Sequence, residues 1–186
     1  MHNLDLAIDL TEERLERAAA LFVEVFGGPP LFEDWQTSST PSEVKELLAG
    51  YSQHGKLVLA SDDHGAIIGL GAMETASMSS QLDRAMPYLE DLEQSMFLAE
   101  LAVHPTAREA GLGRALCTDL IRRAEGAELF LRVTTLNDGH AHSLYESLGF
   151  VDLHGTEHSE DCERTAGWPH PYTSDTRILM IHRPGE

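Results

Sequence analysis

One stretch limits this chain more than any other. An apolar strand runs into a proline turn and then into a helix start that carries glycines. Ser95 to Val103 is strongly apolar and holds a single charge, Glu100. Val103-His104-Pro105 makes the turn, and Arg108-Glu109-Ala110-Gly111-Leu112-Gly113-Arg114 opens the helix. Gly111 and Gly113 let the backbone come close to a ligand. The N–H groups at a helix start, with the positive end of the helix dipole, favour a phosphate or pyrophosphate. Arg108 and Arg114 add local positive charge. The plainer reading of the same residues is a tight turn before a structural helix.

Spacing excludes two nucleotide sites. A P-loop needs Gly-Lys followed by Ser or Thr, and the chain has no such run. A dinucleotide fingerprint needs its third glycine where Leu116 stands, and its first directly after the strand. Seven residues separate Val103 from Gly111.

Charge limits the partners. The 186 residues hold 13 Lys+Arg against 31 Asp+Glu, a formal net charge of −18. Nucleic-acid binding needs a basic stripe and is not expected. A cationic substrate suits an acidic surface, although the same acidity also serves solubility. No apolar run approaches a membrane span. Met1 to Asp9 has no basic start and does not read as a secretory signal. Cys117 and Cys162 do not make a disulfide framework, so a reducing, cytoplasmic setting is expected.

The hydrophobic pattern predicts a mixed α/β order. Leu4 to Ile8 alternates as a strand. Thr11 caps a helix to about Phe26, with Leu15, Ala18, Ala19, Phe22 and Phe26 on one face. Thr40-Pro41-Ser42-Glu43 is a capping box for a second helix ending near Leu48. Strands over Lys56–Ser61 and Ala66–Thr75 are joined by a hairpin turn at residues 62–65. Residues 77–93 read as a short helical excursion broken near Pro87. A helix over residues 111–125 and a strand over 128–134 follow. His140 to Ser147 is a helix capped from Asn137-Asp138-Gly139 and stopped by Gly149. A strand starts at Phe150, residues 154–174 are polar and irregular, and Thr176 to His182 is a last strand.

The segment through Gly113 resembles the acetyl-CoA-binding motif of the GNAT (Gcn5-related N-acetyltransferase) superfamily. That motif is [RQ]-x-x-G-x-[GA] after an apolar strand ending in V-x-P. Arg108, Gly111, Gly113 and Val103-His104-Pro105 match it; Glu109 stands where a glycine is common. Ala141-His142-Ser143-Leu144-Tyr145 through Gly149-Phe150 is similar to the family's A-x-x-L-Y-x-x-x-G-F segment. Asp138 occupies the slot of the usual asparagine, with Asn137 beside it. Together the motifs cover roughly residues 96 to 153.

The resemblance implies one GNAT domain over residues 1–186, α/β (α+β) in class. Its sheet would be mixed, mostly antiparallel and twisted, flanked by helices and splayed at the cofactor cleft. The cofactor-binding core would span about 96–153, with an inserted segment near 77–93 and an acceptor-side loop near 154–174. It implies acetyl-CoA as cosubstrate and no metal. The backbone of Leu101, Ala102 and Val103 would hold the pantetheine and thioester carbonyl. Arg108, Glu109, Ala110, Gly111, Leu112, Gly113 and Arg114 would hold the pyrophosphate, and Asn137 or Asp138 would add a further contact. Tyr145 matches the tyrosine that protonates the departing thiolate; its plainer reading is an amphipathic core residue.

Glu100 is the candidate general base, because an ammonium substrate must lose a proton before attack. A structural carboxylate is the competing reading. Glu74 on the neighbouring strand is the next carboxylate, and a water chain could replace either. The acceptor would be a primary amine on a small cationic molecule or a peptide. A protein lysine or N-terminal acetyltransferase and a non-catalytic CoA sensor both stay open. A homodimer is the default assembly. Trp35, Trp168, His170 and Tyr172 could line the acceptor pocket or pack a loop. His140, His142, His154, His158, Cys162 and His170 match no standard zinc spacing. Cys117 reads as a small core residue.

Overall fold

The structure, a computed structural model, describes residues 3–6, 10–27, 40–82, 89–108, 110–134, 140–153, 168–169 and 176–185. It is mixed α/β, with eight short strands and four α-helices among those residues, most of the strand pairs being antiparallel. The chain divides into two compact units, residues 1–74 with 100–121, and residues 75–99 with 122–186.

The first unit holds β1 (Asn3–Leu6), α1 (Glu12–Gly27), α2 (Pro41–His54), β2 (Lys56–Ser61) and β3 (Ile67–Thr75) up to residue 74. It also takes the second half of β4 (Met96–Val103) and most of α3 (Leu112–Arg123). Strands β1, β2 and β3 pair antiparallel in sequence order. The turn between β2 and β3 forms as its residues dictate. The Asp62 carboxylate accepts the N–H groups of His64 and Ala66, and Gly65 takes φ +81°. Leu57, Val58, Leu59 and Ala60 are all buried, the mark of a strand covered on both faces.

Helix α1 starts at Thr11, whose Oγ1 accepts the Arg14 N–H at 3.3 Å. It buries Ala18, Ala19, Leu21, Phe22 and Val25. The α1 and α2 helices pack together, and Lys45 bridges them by pairing with Glu12 and, at 3.5 Å, with Glu16. The Thr40–Glu43 capping box forms, but α2 does not stop near Leu48. It continues six residues to His54. Tyr51 extends the buried stripe of Val44 and Leu48, and its burial offsets the cost of Gly50, about 1 kcal/mol in a helix interior.

The second unit carries the first half of β4, β5 (Leu129–Thr134), α4 (His140–Glu146), β6 (Val151–Asp152), β7 (Trp168–Pro169) and β8 (Thr176–His182). β4 runs parallel to β5 from Met96↔Leu129 to Leu98↔Leu131. β8 lies antiparallel to β5, β6 and β7. The pairing of β7 puts a short strand inside the segment expected to be wholly irregular. The core gathers Ala76, Leu82, Phe97, Phe130, Leu179 and Ile181. The excursion expected as a helix is instead two single 3₁₀ turns, Ala76–Met78 and Ser80–Leu82. Its base is closed by the Ser77 N–H donating to the Leu92 carbonyl at 3.2 Å. A turn needs only Leu82 and Leu89 to reach the core, and both do, so a full amphipathic helix is not required. Met86 and Pro87 lie outside the described residues.

Candidate active site

The helix start is placed by the strand beneath it. Leu112, Leu116 and Leu120 recur every fourth residue and form the buried stripe of α3. They sit on glycines of β3. A Cβ at Gly69 would meet Leu116 Cδ1 at 3.0 Å and Leu112 Cδ2 at 3.1 Å. A Cβ at Gly71 would meet Leu120 Cδ1 at 2.8 Å. The Gly69-Leu70-Gly71 run therefore sets how closely α3 lies on β3. Its signal was in the sequence, as glycines alternating along a strand, which mark a close approach.

The turn into α3 is also tied down. His104 Nδ1 accepts the Thr106 N–H at 3.2 Å and lies 2.7 Å from Thr106 Oγ1. With Nδ1 an acceptor, the neutral ring carries its proton on Nε2, which lies 3.1 Å from Glu24 Oε1 on α1. Pro105–Ala107 is one 3₁₀ turn. Arg108 is exposed, and its Nε donates to the Val103 carbonyl at 3.4 Å. Ala110 and Gly111 are exposed as well.

Gly111 accepts the first helical hydrogen bond, from the Ala115 N–H at 3.0 Å, and takes φ +78°. Among the described residues, its chain neighbours aside, no atom lies within 4 Å of where its Cβ would stand. The site needs glycine for its dihedral and leaves open space above it. Helix geometry turns the N–H groups of Leu112 and Gly113 away from any intrahelical acceptor. That is a cradle a phosphate group fits, with the exposed Arg114 side chain one residue further on.

Glu100 lies on the strand that leads into this cradle. Side chains alternate along β4. Leu101 faces α3, its Cδ1 3.5 Å from the Cβ position of Gly71. Glu100 and Ala102 thus face the other way, and both are buried. There Tyr51 of α2 meets Glu100, its hydroxyl donating to Oε1 at 3.4 Å. Burial pushes the Tyr51 phenol far above its ordinary range, and the charges of Glu100 and Glu74 push it further. Tyr51 was not among the residues singled out by sequence, because the contact spans 49 positions.

Tyr145 belongs to the second unit and is fixed by the end of its own helix. Gly149, at φ +90°, donates to the Glu146 carbonyl at 3.0 Å, and the Phe150 N–H reaches the Tyr145 carbonyl at 3.1 Å. This is a Schellman ending. Its usual apolar contact is here the Tyr145 ring against Phe150, edge-on at 5.7 Å. The helix is also held to β6 by His142, whose Nε2 lies 2.7 Å from Asp152 Oδ1. Tyr145 is 8% exposed.

Leu101 and Val103 are half-buried and Ala102 and Leu112 buried. Glu109, Asn137, Asp138, Trp35, His154, His158, Cys162, His170 and Tyr172 lie outside the described residues. Among the described residues, no cluster of three or more His, Cys, Asp or Glu could hold a metal ion, and no helix is long and apolar enough to cross a membrane.

Comparison with known proteins gives one family. The acetyltransferase (GNAT) domain matches residues 53–152, more than half of the chain and both motif halves. No curated protein matches the sequence. Among solved structures, yncA of Salmonella typhimurium, determined with its cofactor acetyl-CoA, is similar at 15% identity and TM-score 0.69, over 100% of this chain and 95% of that one. The ribosomal-protein-alanine N-acetyltransferase of Brucella melitensis is similar at 17% identity and TM-score 0.67, over 97% and 99%. The ribosomal-protein-S18-alanine N-acetyltransferase of Escherichia coli is similar at 19% and 0.58, over 98% and 94%. These likenesses are of fold. With the matched domain spanning β2 through β6, the chain belongs to the GNAT acetyltransferase family.

Proposed function

We propose that this chain moves an acetyl group from acetyl-CoA to a primary amine by direct attack in a ternary complex. The acceptor would be a small cationic molecule or a peptide. The observation that carries this reading is the β4–α3 junction. A buried carboxylate, Glu100, stands on the strand that leads into a helix start with an open, positive-φ glycine. Phosphate chemistry and proton chemistry then share one continuous segment of backbone.

In this reading the N–H groups of Leu112 and Gly113 bind the pyrophosphate, and Arg108 and Arg114 add charge to it. The backbone of Leu101 and Val103 orients the pantetheine. Acetyl-CoA, when bound, supplies an activated thioester. Glu100 takes the proton that an ammonium acceptor must lose to become a nucleophile. Tyr145, neutral at pH 7 and carrying a proton at its tip, gives that proton to the departing thiolate. The net charge of −18 favours approach of a cationic acceptor. The two similar folds from ribosomal-protein N-acetyltransferases speak to fold at their identities, so they do not shift the acceptor toward a protein N-terminus.

Initial rates with acetyl-CoA and amine both varied test the order of events. Intersecting lines support direct attack, whereas parallel lines imply an acyl-enzyme. Tyr145→Phe should lower kcat with little change in the KM for acetyl-CoA; an unaltered kcat removes Tyr145 from the acid role.

A further inference from the structure

We propose that Tyr51 is a positioning residue for the general base: its hydroxyl donates to Glu100 Oε1 and fixes the rotamer in which that carboxylate meets the amine. The inference rests on the reading of Glu100 as the base and extends it to a residue from a different element.

Three observations carry it. Tyr51 and Glu100 are both buried, at 6% and 8% exposure, so the pair is shielded from competing water. Glu100 lies on the face of β4 opposite α3, so its partner has to come from another element, and α2 supplies one. The helix reaches that point only because it runs on past Leu48, through Gly50, to Tyr51. Finally, the phenol sits between the charges of Glu100 and Glu74 in a buried setting, which keeps it protonated. It acts as a donor at every working pH and does not compete with Glu100 for the substrate's proton.

The physical consequence is orientation. A glutamate has three side-chain torsions, and a base displaced by about 1 Å loses much of its effect. A hydrogen bond from a phenol whose ring is packed restricts that freedom at Oε1. Glu74 acts on the same hydroxyl through its charge, while the hydroxyl itself donates to Glu100.

The test is steady-state kinetics on the full chain with an active amine, using wild type, Tyr51→Phe, Glu100→Gln and the double variant. The expected result is a fall in kcat of about tenfold for Tyr51→Phe, with the KM for acetyl-CoA within about twofold. Tyr51→Phe should cost nothing further in the Glu100→Gln background. An equal loss in both backgrounds, or no loss in either, overturns the positioning role. A Glu100→Gln variant with unchanged kcat overturns the base reading itself, and positioning falls with it. Thermal unfolding of each variant checks the fold. Should Tyr51→Phe fail to fold, 3-fluorotyrosine at position 51 keeps the ring and makes the hydroxyl a stronger donor. It should change kcat in wild type and leave it unchanged with Glu100→Gln; an unchanged kcat in wild type counts against the proposal.

Discussion

Leu120 lies so tightly over Gly71 that a Cβ built on the glycine would stand 2.8 Å from Leu120 Cδ1. Leu120 is itself fully buried, so its methyl group cannot swing into solvent. Gly71→Ala should therefore overpack this contact and cost about 1–3 kcal/mol, read as a lowered urea midpoint. Where the strain moves α3 rather than the Leu120 rotamer, the KM for acetyl-CoA should rise as well. A variant as stable as wild type would show that α3 is not seated by Gly71.

Gly111 makes the opposite demand. Its Cβ position is open, so only the dihedral at φ +78° resists substitution. Gly111→Ala should cost about 1–2 kcal/mol. On the proposed pyrophosphate contact it should also weaken acetyl-CoA binding in calorimetry. Loss of stability with unchanged affinity would separate the helix start from the cofactor.

The capping box makes stability depend on acid. Hydrogen bonds from the Thr40 backbone first, and from its hydroxyl second, hold the Glu43 carboxylate below its ordinary value of 4.5. A carboxylate depressed in the folded state contributes stability above its unfolded value. That contribution is lost as pH falls through the lower folded value. The stability gap between wild type and Glu43→Gln should thus be constant above pH 4.5 and shrink below it. A gap that stays constant down to pH 2.5–3 would exclude the charged cap.

Cys117 should be inert in the native protein. Burial pushes its thiol up to about 12, against a smaller opposing effect of Arg114. The thiolate is the reactive form, so a disulfide reagent at pH 8 should modify the Cys117 peptide only after unfolding, as read by mass spectrometry. Stability is untouched by this thiol below about pH 9 and falls as pH rises from there toward 12, where the unfolded chain gives up its proton first. Rapid native labelling at position 117 would contradict its burial.

Local chemistry was readable in the sequence where one segment decides its own shape. The Thr40–Glu43 box, the Asp62 turn and the Gly149 stop each formed as their residues require. The strand leading to Val103-His104-Pro105 and the glycine at the start of α3 also fall where spacing puts them. What stayed hidden depends on distant partners. Gly50 reads as a break until the burial of Tyr51 is known. Tyr51 reads as one more aromatic until β4 brings Glu100 to it. The alternation of Gly69 and Gly71 signals a close approach, but that Leu116 and Leu120 of α3 fill the room is seen only in the fold. The residue Tyr145 could be named from a motif, yet its support by Phe150 follows from the helix ending.

The most direct measurement is release of CoA from acetyl-CoA, followed with a thiol reagent, across polyamines, aminoglycosides, amino acids and lysine peptides. Wild type should release CoA only when a suitable primary amine is present, and Glu100→Gln should abolish most of that release. Confirmed acetyl-CoA binding with no release under any amine, or amine-dependent release that Glu100→Gln leaves intact, would contradict the account.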